Sequence, residues 1–264
     1  MAFMPPPLVN EDGWIDADLL SPNVILYRNI EAEEALYTYE ALGHVPTVAI
    51  VDVKGGVKKT TTAVHTAFGL HRMPKGRRKT RKILIGDCDQ YHSVADWQAR
   101  AAENGDPWPE EIVVVSSGGD NFHHELIDAV AEHKPDHLVI DTPPNDEDAA
   151  LRALLGADVL LMPTGPFDMD IRRLSYGIKA GGRVLQLRKG YLEALAVLTG
   201  CKLGTKIYKD ARKDLIASGI SFVNSPVRDL VQHAHAFGTS LPNLNDYDFV
   251  TYDLSNLFDK IAKR

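Results

Sequence analysis

The sequence predicts an α/β fold, in which a twisted, mostly parallel sheet is covered by helices on both faces. Short apolar runs alternate with longer segments of helical periodicity from about residue 48 onwards, and this alternation is typical of βαβ units. Several apolar runs end in glycine, lysine or carboxylate residues. Because parallel sheets bind ligands at the carboxyl ends of their strands, we expect a ligand site at that edge.

Composition fits one globular domain of this class. The chain has 264 residues, of which 44% are hydrophobic and 25% charged, enough for a full core. The net charge of −7 argues against attraction of the whole surface to nucleic acid, but not against a local basic patch. Only Cys88 and Cys201 are present, so we expect a reducing cytoplasm and no disulfide framework. No stretch is apolar and long enough to span a bilayer, and the proline-rich, acidic start does not resemble a signal peptide.

Residues 1–46 are predicted to form an N-terminal extension, and residues 47–264 the main domain. Within the extension, Glu31–Leu42 is a predicted short helix with Ala35, Leu36, Tyr39 and Leu42 on its apolar side. This helix either packs on the surface of the main domain or contacts a second copy or a partner.

The stretch from Val48 to Thr62, VAIVDVKGGVKKTTT, organises the chain. A buried-type strand, a glycine turn, a Lys-Thr pair and a periodic helix follow one another, which is the layout of the phosphate-binding loop of P-loop NTPases. Glycines let the backbone approach phosphate, and the N–H groups at the helix start point at the anion. Lys59 and Thr60 occupy the positions of the phosphate lysine and the magnesium hydroxyl. The general pattern G-x-x-x-x-G-K-[ST] would place glycine at Val53 and Lys58.

A basic stretch follows, from Arg72 to Lys82. It is either a contact for the phosphate backbone of nucleic acid or a solvated connection between helix and strand.

Carboxylates end the second and fourth predicted strands, Lys82–Gly86 and His137–Asp141. Asp87 and Asp89, two residues apart beside a phosphate loop, suit magnesium binding and water positioning, although such strand ends are often only helix caps. Asp141 ends an apolar strand in the manner of a Walker B carboxylate, which reaches magnesium usually through water.

The remaining elements continue the alternation. Two pairs of histidines are not expected to bind metal: His123 and His124 cannot share a helix face, and His133 and His137 flank a proline and are predicted to lie on the surface. The other predicted strands are Glu111–Ser116, Ala157–Pro163, Leu192–Thr199 and Ile220–Val223, and the other predicted helices are Phe122–Ala131, Asp170–Leu187, Lys206–Ser218, Val227–Phe237 and an amphipathic last helix with Leu254, Leu257, Phe258 and Ile261.

The loop sequence KGGVKKTT resembles the deviant Walker A motif K-G-G-x-G-K-T-T of the ParA/MinD family of ATPases. The segments DCDQ and SVADW after the second strand, IDTPP at the fourth and ADVLLMP at the fifth also resemble that family's motifs. The resemblance runs from about Val48 to the C-terminus and points to partition ATPases of the ParA type. It departs at Lys58, where the family has glycine, and at Gln90-Tyr91-His92, where the family has Pro-Gln-Gly.

The resemblance implies roles for single residues. Lys59 would hold the β- and γ-phosphates, Thr61 the α-phosphate, and Lys54 the transition-state charge across a dimer. Asp89 would orient or activate the attacking water, so Lys54 and Asp89 are the candidate catalytic residues. The candidate nucleotide-binding residues are Lys54, Gly55, Gly56, Val57, Lys58, Lys59, Thr60 and Thr61.

The implied cofactors are ATP and Mg²⁺. Thr60, Asp87 and Asp141 are the candidate magnesium residues, partly through water. The cysteines do not suit an iron–sulfur protein of the nitrogenase-reductase type, because Cys88 lies inside the nucleotide motif and Cys201 after a late strand.

The implied function is plasmid or chromosome partition by a cytoplasmic, nucleoid-associated ATPase. Its partners would be a second copy in an ATP-dependent sandwich dimer, DNA bound without sequence preference, and a ParB-like centromere-binding protein that stimulates hydrolysis. No membrane partner is expected, because acidic residues interrupt the polar side of the last helix. The candidate DNA contacts form two groups: Arg72, Lys75, Arg77, Arg78, Lys79, Arg81 and Lys82, and separately Arg172, Arg173, Lys209, Arg212 and Lys213.

Two further hypotheses stay open. One is a MinD-like membrane-associated positioning ATPase, and the other is a degenerate relative that binds DNA but handles nucleotide poorly. Lys58 favours the second, since a Cβ there crowds the closest approach of backbone and phosphate, whereas its charge is expected to sit in solvent. We therefore expect weak ATP binding and slow hydrolysis, both raised by Lys58→Gly.

Overall fold

The computed structural model describes residues 32–42, 45–52, 56–117, 122–144, 146–188 and 190–263. Six strands form one sheet in the order β3-β2-β4-β1-β5-β6, and every pair is parallel. The predicted fold class is therefore confirmed. The strands are β1 Thr47–Ile50, β2 Ile83–Asp87, β3 Ile112–Ser116, β4 His137–Asp141, β5 Val159–Thr164 and β6 Glu193–Leu198.

Helices cover both faces of this sheet. One hydrophobic cluster contains Ala49 and side chains of α1, α4, α5, α6 and α7, and the other contains Val48, Ile50 and side chains of α2, α3 and α9. The alternation along β1 follows from the period of two in a strand that is buried on both faces. The helices are α1 Ala32–Leu42, α2 Lys59–His71, α3 Ser93–Glu103, α4 Phe122–His133, α5 Glu147–Leu155, α6 Asp168–Leu187, α7 Lys206–Ser218, α8 Val231–Ala234 and α9 Tyr247–Ile261.

The strand order places the phosphate loop at a switch point. β1 lies between β4 and β5, and Ile50 is in register with Asp141 of β4. The chain leaves β1 towards one side of the sheet and leaves β5 towards the other, so the connections diverge there and open a crevice at the carboxyl ends. The loop after β1 and the end of β4 meet in that crevice.

Helix α1 packs on the main domain. Leu42 and Val45 are buried in the same cluster as Ala49, and α1 contacts α4, α5 and α6. Beneath it, the buried Arg188 guanidinium lies 4.1 Å from the ring centroid of Tyr39 and donates to the carbonyl of Ala157. Helix α1 thus packs on the main domain, which is the first of the two alternatives given for it.

Three local predictions are wrong. His137 is only 4% exposed, since its strand lies inside the sheet, and its ring packs against Phe258. The predicted helix Val227–Phe237 shrinks to α8, because its first residues are extended and tied to the end of β6: Val227 N–H donates to Leu198 O, and Cys201 N–H donates to Val227 O. The predicted strand Ile220–Val223 is a single bridge, Phe222 to Ala196.

Helix α9 docks on α2, as the acidic residues in its sequence favoured. The close approach is made at Gly69, where an added Cβ would lie 2.9 Å from Thr251 Cβ. Tyr247, Val250 and Leu254 point into the shared cluster. Within the described residues, no helix has the length and apolarity needed to cross a membrane.

Candidate phosphate-binding site

The phosphate loop turns into α2 through two left-handed residues. Gly56 has φ +83° and is exposed, and Lys58 has φ 68° and ψ 37°. Val57 between them is buried, and its carbonyl accepts a hydrogen bond from the Thr199 hydroxyl at the end of β6. The predicted site residues Lys54 and Gly55 lie outside the described residues.

The start of α2 offers donors for an anion. Lys58 is the N-cap residue and makes no side-chain cap, so the first N–H groups of the helix are not satisfied by that side chain. Lys59 follows and is 7% exposed. Burial lowers the pKa of Lys59, and the carboxylates of Asp52, Asp141 and Asp89 act in the opposite direction. The ammonium of Lys59 therefore lies in a partly desolvated environment at the helix N-terminus, with carboxylates nearby.

Thr60 and Asp141 lie close together because β1, which leads into α2, pairs with β4. The Thr60 hydroxyl donates to Oδ2 of Asp141 at 2.7 Å. Asp141 is fully buried, and its other oxygen, Oδ1, has no hydrogen-bond partner among the described residues. Burial raises the pKa of Asp141 to about 7, the Thr60 hydrogen bond opposes this, and nearby Asp87 adds to it. An unpaired buried carboxylate oxygen is costly unless a cation or a proton satisfies it.

Asp87 acts as a cap in this structure. Its Oδ1 accepts the N–H of Asp89 at 3.2 Å, and its Oδ2 accepts the N–H groups of Val94 and Ala95 in the first turn of α3 at 3.0 and 3.3 Å. Burial raises the pKa of Asp87, against these hydrogen bonds. Asp87 thus fixes the turn that carries Asp89, and its predicted part in the magnesium shell stays a prediction.

Asp89 lies at the same edge of the sheet. It is 8% exposed, and its Oδ1 accepts the N–H of Tyr91 at 3.1 Å. The turn closes through His92, whose N–H donates to Asp89 O and whose φ is +49°. The DCDQYH sequence therefore forms a closed turn without the Pro-Gln-Gly of the similar family, and Asp89 keeps a position from which it acts on Lys59 and Asp141.

The residues present fit magnesium held together with phosphate. No cluster of three or more His, Cys, Asp or Glu side chains suited to a metal ion occurs in the described part of the chain. Magnesium, however, is commonly bound by one or two protein oxygens plus substrate phosphates and water. The Thr60 hydroxyl and the unpaired Asp141 oxygen supply that set beside the helix N-terminus.

Lys58 differs from its prediction in one respect. Its ammonium does not stand free in solvent but lies 3.7 Å from Oδ1 of Asp229, and its side chain is 29% exposed. The left-handed backbone is the conformation that glycine adopts most readily, which explains why glycine is usual here. Asp229 lies far along the chain in an irregular segment, and no local pattern marks it as a partner of the phosphate loop.

Sequence reasoning missed a second support of α2. The Nδ1 atom of His65 lies 2.7 Å from the carbonyl oxygen of Thr61, so this nitrogen carries the proton and donates. The ring packs on Tyr247 of α9 with centroids 4.3 Å apart. Burial lowers the pKa of His65 to about 3, so the ring is neutral and braces the first turn of the helix.

The first predicted basic group is largely engaged in internal contacts. Lys75 and Arg78 both bind Asp136, at 2.7 and 2.9 Å. Arg72 donates to the carbonyl of Leu241, and Arg81 contacts His137. This group lies between the end of α2 and the start of β2, at the amino edge of the sheet and therefore opposite the phosphate loop. The engaged residues Arg72, Lys75 and Arg78 are nevertheless exposed, as are the remaining members, Arg77, Lys79 and Lys82.

The second basic group lies on two adjacent helices that begin at the carboxyl edge. Arg172 of α6 pairs with Asp168 at 2.8 Å on the surface, and Arg212 of α7 lies over the ring of Phe222. Lys209 and Lys213 of α7 are exposed, and helices α6 and α7 pack on each other. This group, which also includes Arg173, therefore shares an edge of the sheet with the phosphate loop.

Two known proteins are similar to this chain in sequence. No family model matches the chain. The Maintenance of carboxysome distribution protein A of Gloeobacter kilaueensis is 33% identical over 127 residues, which is 47% of this chain and about half, 51%, of that protein. Protein ParA of Rhizobium radiobacter is 24% identical over 204 residues, covering 73% of this chain and 82% of that protein.

Solved structures share the fold at low sequence identity. A plasmid partition protein from Borrelia burgdorferi bound to AMPPNP matches with a TM-score of 0.60 and 18% identity, over 82% of this chain and 99% of that chain. Cobyrinic acid a,c-diamide synthase from Mycobacterium smegmatis with bound ADP and magnesium matches with a TM-score of 0.61 and 15% identity, over 83% of this chain and 97% of that chain. Together the relatives confirm that the chain is similar to ParA-type ATPases of the ParA/MinD family, in sequence as well as in fold.

Proposed function

We propose that the chain is a ParA-like positioning ATPase that binds ATP and Mg²⁺ and closes into a nucleotide-dependent homodimer. The dimer binds DNA without sequence preference and partitions a plasmid or chromosome. A ParB-like centromere-binding protein stimulates its hydrolysis. The observation that carries the proposal is the contact of the Thr60 hydroxyl with the buried Asp141 carboxylate at the start of α2.

Each residue of the site has a proposed task that follows from its position. Lys59, at the start of α2, supplies positive charge to the β- and γ-phosphates. Thr60 and Asp141 hold magnesium, and the bound ion supplies charge neutralisation of the phosphate oxygens. Asp89 orients the attacking water and accepts its proton. The ATP-bound and ADP-bound states of the similar solved proteins support these cofactors.

Lys54 carries the dimer proposal, by the family resemblance alone. Its place in the sequence, just before Gly55, is that of the lysine that reaches the nucleotide of the partner subunit. Light scattering tests the proposal: with ATP the chain runs as a dimer, and with ADP as a monomer. Equal monomer fractions at saturation with either nucleotide would contradict it.

The proposed DNA surface is the second basic group rather than the first. Lys209 and Lys213 are exposed on a helix that begins at the edge of the phosphate loop, whereas two members of the first group, Lys75 and Arg78, share the carboxylate of Asp136. Each phosphate contact adds about −0.9 to the slope of log affinity against log salt. This placement also makes DNA binding sensitive to changes at the nucleotide edge.

Charge-removing variants separate the two surfaces. We expect Lys209→Gln with Lys213→Gln to weaken binding to a random-sequence duplex in ATP and to reduce the salt slope by about 2. The matched control, Arg77→Gln with Lys79→Gln, removes two exposed charges at the opposite edge and leaves the slope nearly unchanged. A larger effect of the control pair would assign DNA binding to the first group. A flat salt response of the unaltered chain would contradict DNA binding through either group.

A second candidate function has one observation in its favour. Lys58 holds the left-handed conformation at the loop position that favours glycine, so the chain is also a candidate for a DNA-binding relative with impaired nucleotide handling. Single-turnover hydrolysis with DNA and partner absent distinguishes the two. A measurable rate abolished by Asp89→Asn supports the ATPase, and an equal residual rate in both proteins supports the impaired relative.

A further inference from the structure

Lys58 lies where the phosphate loop meets two other segments. Its ammonium is 3.7 Å from Oδ1 of Asp229, and a Cβ built on Gly200 at the end of β6 would lie 4.0 Å from the same nitrogen. The Lys58 and Asp229 side chains are 29% and 53% exposed. The pair therefore lies at the carboxyl edge of the sheet, where solutes reach it.

The segment carrying Asp229 is anchored without Lys58. The neighbouring Arg228 binds Asp246 through its backbone N–H at 2.8 Å and through its guanidinium at 2.8 to 3.0 Å. The N–H of Asp229 itself donates to Cys201 O at 3.0 Å. Because the backbone of Asp229 is fixed by these bonds, loss of Lys58 as a partner changes the Asp229 side chain and leaves its segment in place.

A buried histidine, His233, lies within the electrostatic reach of Lys58. His233 is 5% exposed, and neither of its ring nitrogens has a hydrogen-bond partner among the described residues. Burial, followed by the charge of Lys58, lowers the pKa of His233. Its ring lies 5.5 Å from that of His65 and 5.3 Å from that of Tyr247. Among the described residues, Asp229 is the carboxylate that pairs with the ammonium of Lys58.

We propose that Asp229 competes with the phosphates of a nucleotide for Lys58, and so sets the polyphosphate affinity of the loop. The proposal deepens the proposed function and rests on phosphate binding at the loop. Lys58 directly precedes the first turn of α2, where the helix N-terminus attracts anions. A partly exposed ion pair is weak, so a multiply charged phosphate group displaces the single carboxylate. Asp229 acts through Lys58 and is a positioning residue.

Titration of the full chain with inorganic tripolyphosphate tests this competition. We expect Asp229→Asn to raise affinity about two- to five-fold, the range of a partly exposed ion pair. Most of this gain disappears in the Lys58→Gln background, which keeps the side-chain stem but not the charge. Asp229→Glu keeps the competitor and stays near the unaltered chain. Asp259→Asn, a charge removed from the end of α9, measures the general effect of one less negative charge.

The outcomes separate this inference from the proposed function. Tripolyphosphate binding that Asp229→Asn does not change, or changes equally in both Lys58 backgrounds, would overturn the competition and leave phosphate binding intact. No binding by any of the proteins would overturn both. If Lys58→Gln does not fold, Lys58→Gly, which suits the left-handed backbone, takes its place in the cycle.

Discussion

Asp141 combines full burial, a pKa raised to about 7 and an oxygen without a hydrogen-bond partner among the described residues. In the unfolded chain the pKa of an aspartate is about 4. Because the folded pKa is the higher one, the stabilisation by Asp141 is complete below the unfolded pKa and is lost as the pH rises towards the folded pKa. A bound cation would replace the proton and reverse that loss.

The pH dependence of unfolding tests this. Relative to Asp141→Asn, which keeps an acceptor for Thr60, the unaltered chain should lose free energy of unfolding between about pH 4 and pH 7 in the absence of metal. Urea denaturation across this range gives the difference. Parallel curves for the two proteins would show that folding does not shift the pKa of Asp141.

Lys58 is the second residue whose chemistry departs from expectation. In the unaltered chain the ammonium of Lys58 pairs with Asp229, while the Cβ of Lys58 remains in the phosphate loop. We expect Lys58→Gly to raise ATP affinity and turnover, since relief of crowding on the order of 1 kcal/mol corresponds to roughly a five-fold change in binding. Fluorescent ATP-analogue titration and steady-state hydrolysis are the measurements. Lys58→Ala, which keeps the Cβ and removes the charge, should bind ATP no more tightly than the unaltered chain; an Ala variant as active as the Gly variant would assign the effect to charge.

At the scale of elements, the question is whether α1 belongs to the core of the domain. Leu42 is 1% exposed and packs against Gly156, where an added Cβ would lie 2.6 Å from Leu42 Cδ1. Leu42→Ala should lower the free energy of unfolding by about 2–5 kcal/mol, as for other buried leucines. Tyr37→Ala, on an exposed position of the same helix, should change it by less than about 0.5 kcal/mol. Equal small effects in denaturant titrations would show that α1 is an accessory element rather than part of the core.

The elements that bear strand-end motifs could be predicted because their signals are local. Thr60 and Asp141 are distant in sequence, but a parallel sheet brings the carboxyl ends of adjacent strands to one edge, and their contact follows. The segment after Pro226 could not be predicted in this way. Its apolar periodicity favours a helix, yet hydrogen bonds to the backbone at the end of β6 and from the Arg228 N–H to the Asp246 carboxylate hold it extended.

At the scale of the whole molecule, long-range pairing decided what the sequence left open. Lys58 forms an ion pair with Asp229, and Lys75 and Arg78 form ion pairs with Asp136. Neither aspartate belongs to a sequence motif that would mark it as a partner. The separation of the two basic groups onto opposite edges of the sheet follows from their places after α2 and at the start of α6 and α7, which are fixed once the strands are known to be parallel. The phosphate loop and the second basic group thus lie on one side of the molecule, the side that we propose binds nucleotide and DNA.

The central claim is that this side binds ATP together with magnesium through Thr60 and Asp141. Titration with a fluorescent ATP analogue, with and without Mg²⁺, tests it in the unaltered chain and in Thr60→Val, which keeps the shape of the side chain and loses the hydroxyl. We expect Mg²⁺ to raise the affinity of the unaltered chain about ten-fold or more and to have little effect on Thr60→Val. An affinity that ignores Mg²⁺, or an equal Mg²⁺ effect in both proteins, would contradict the account.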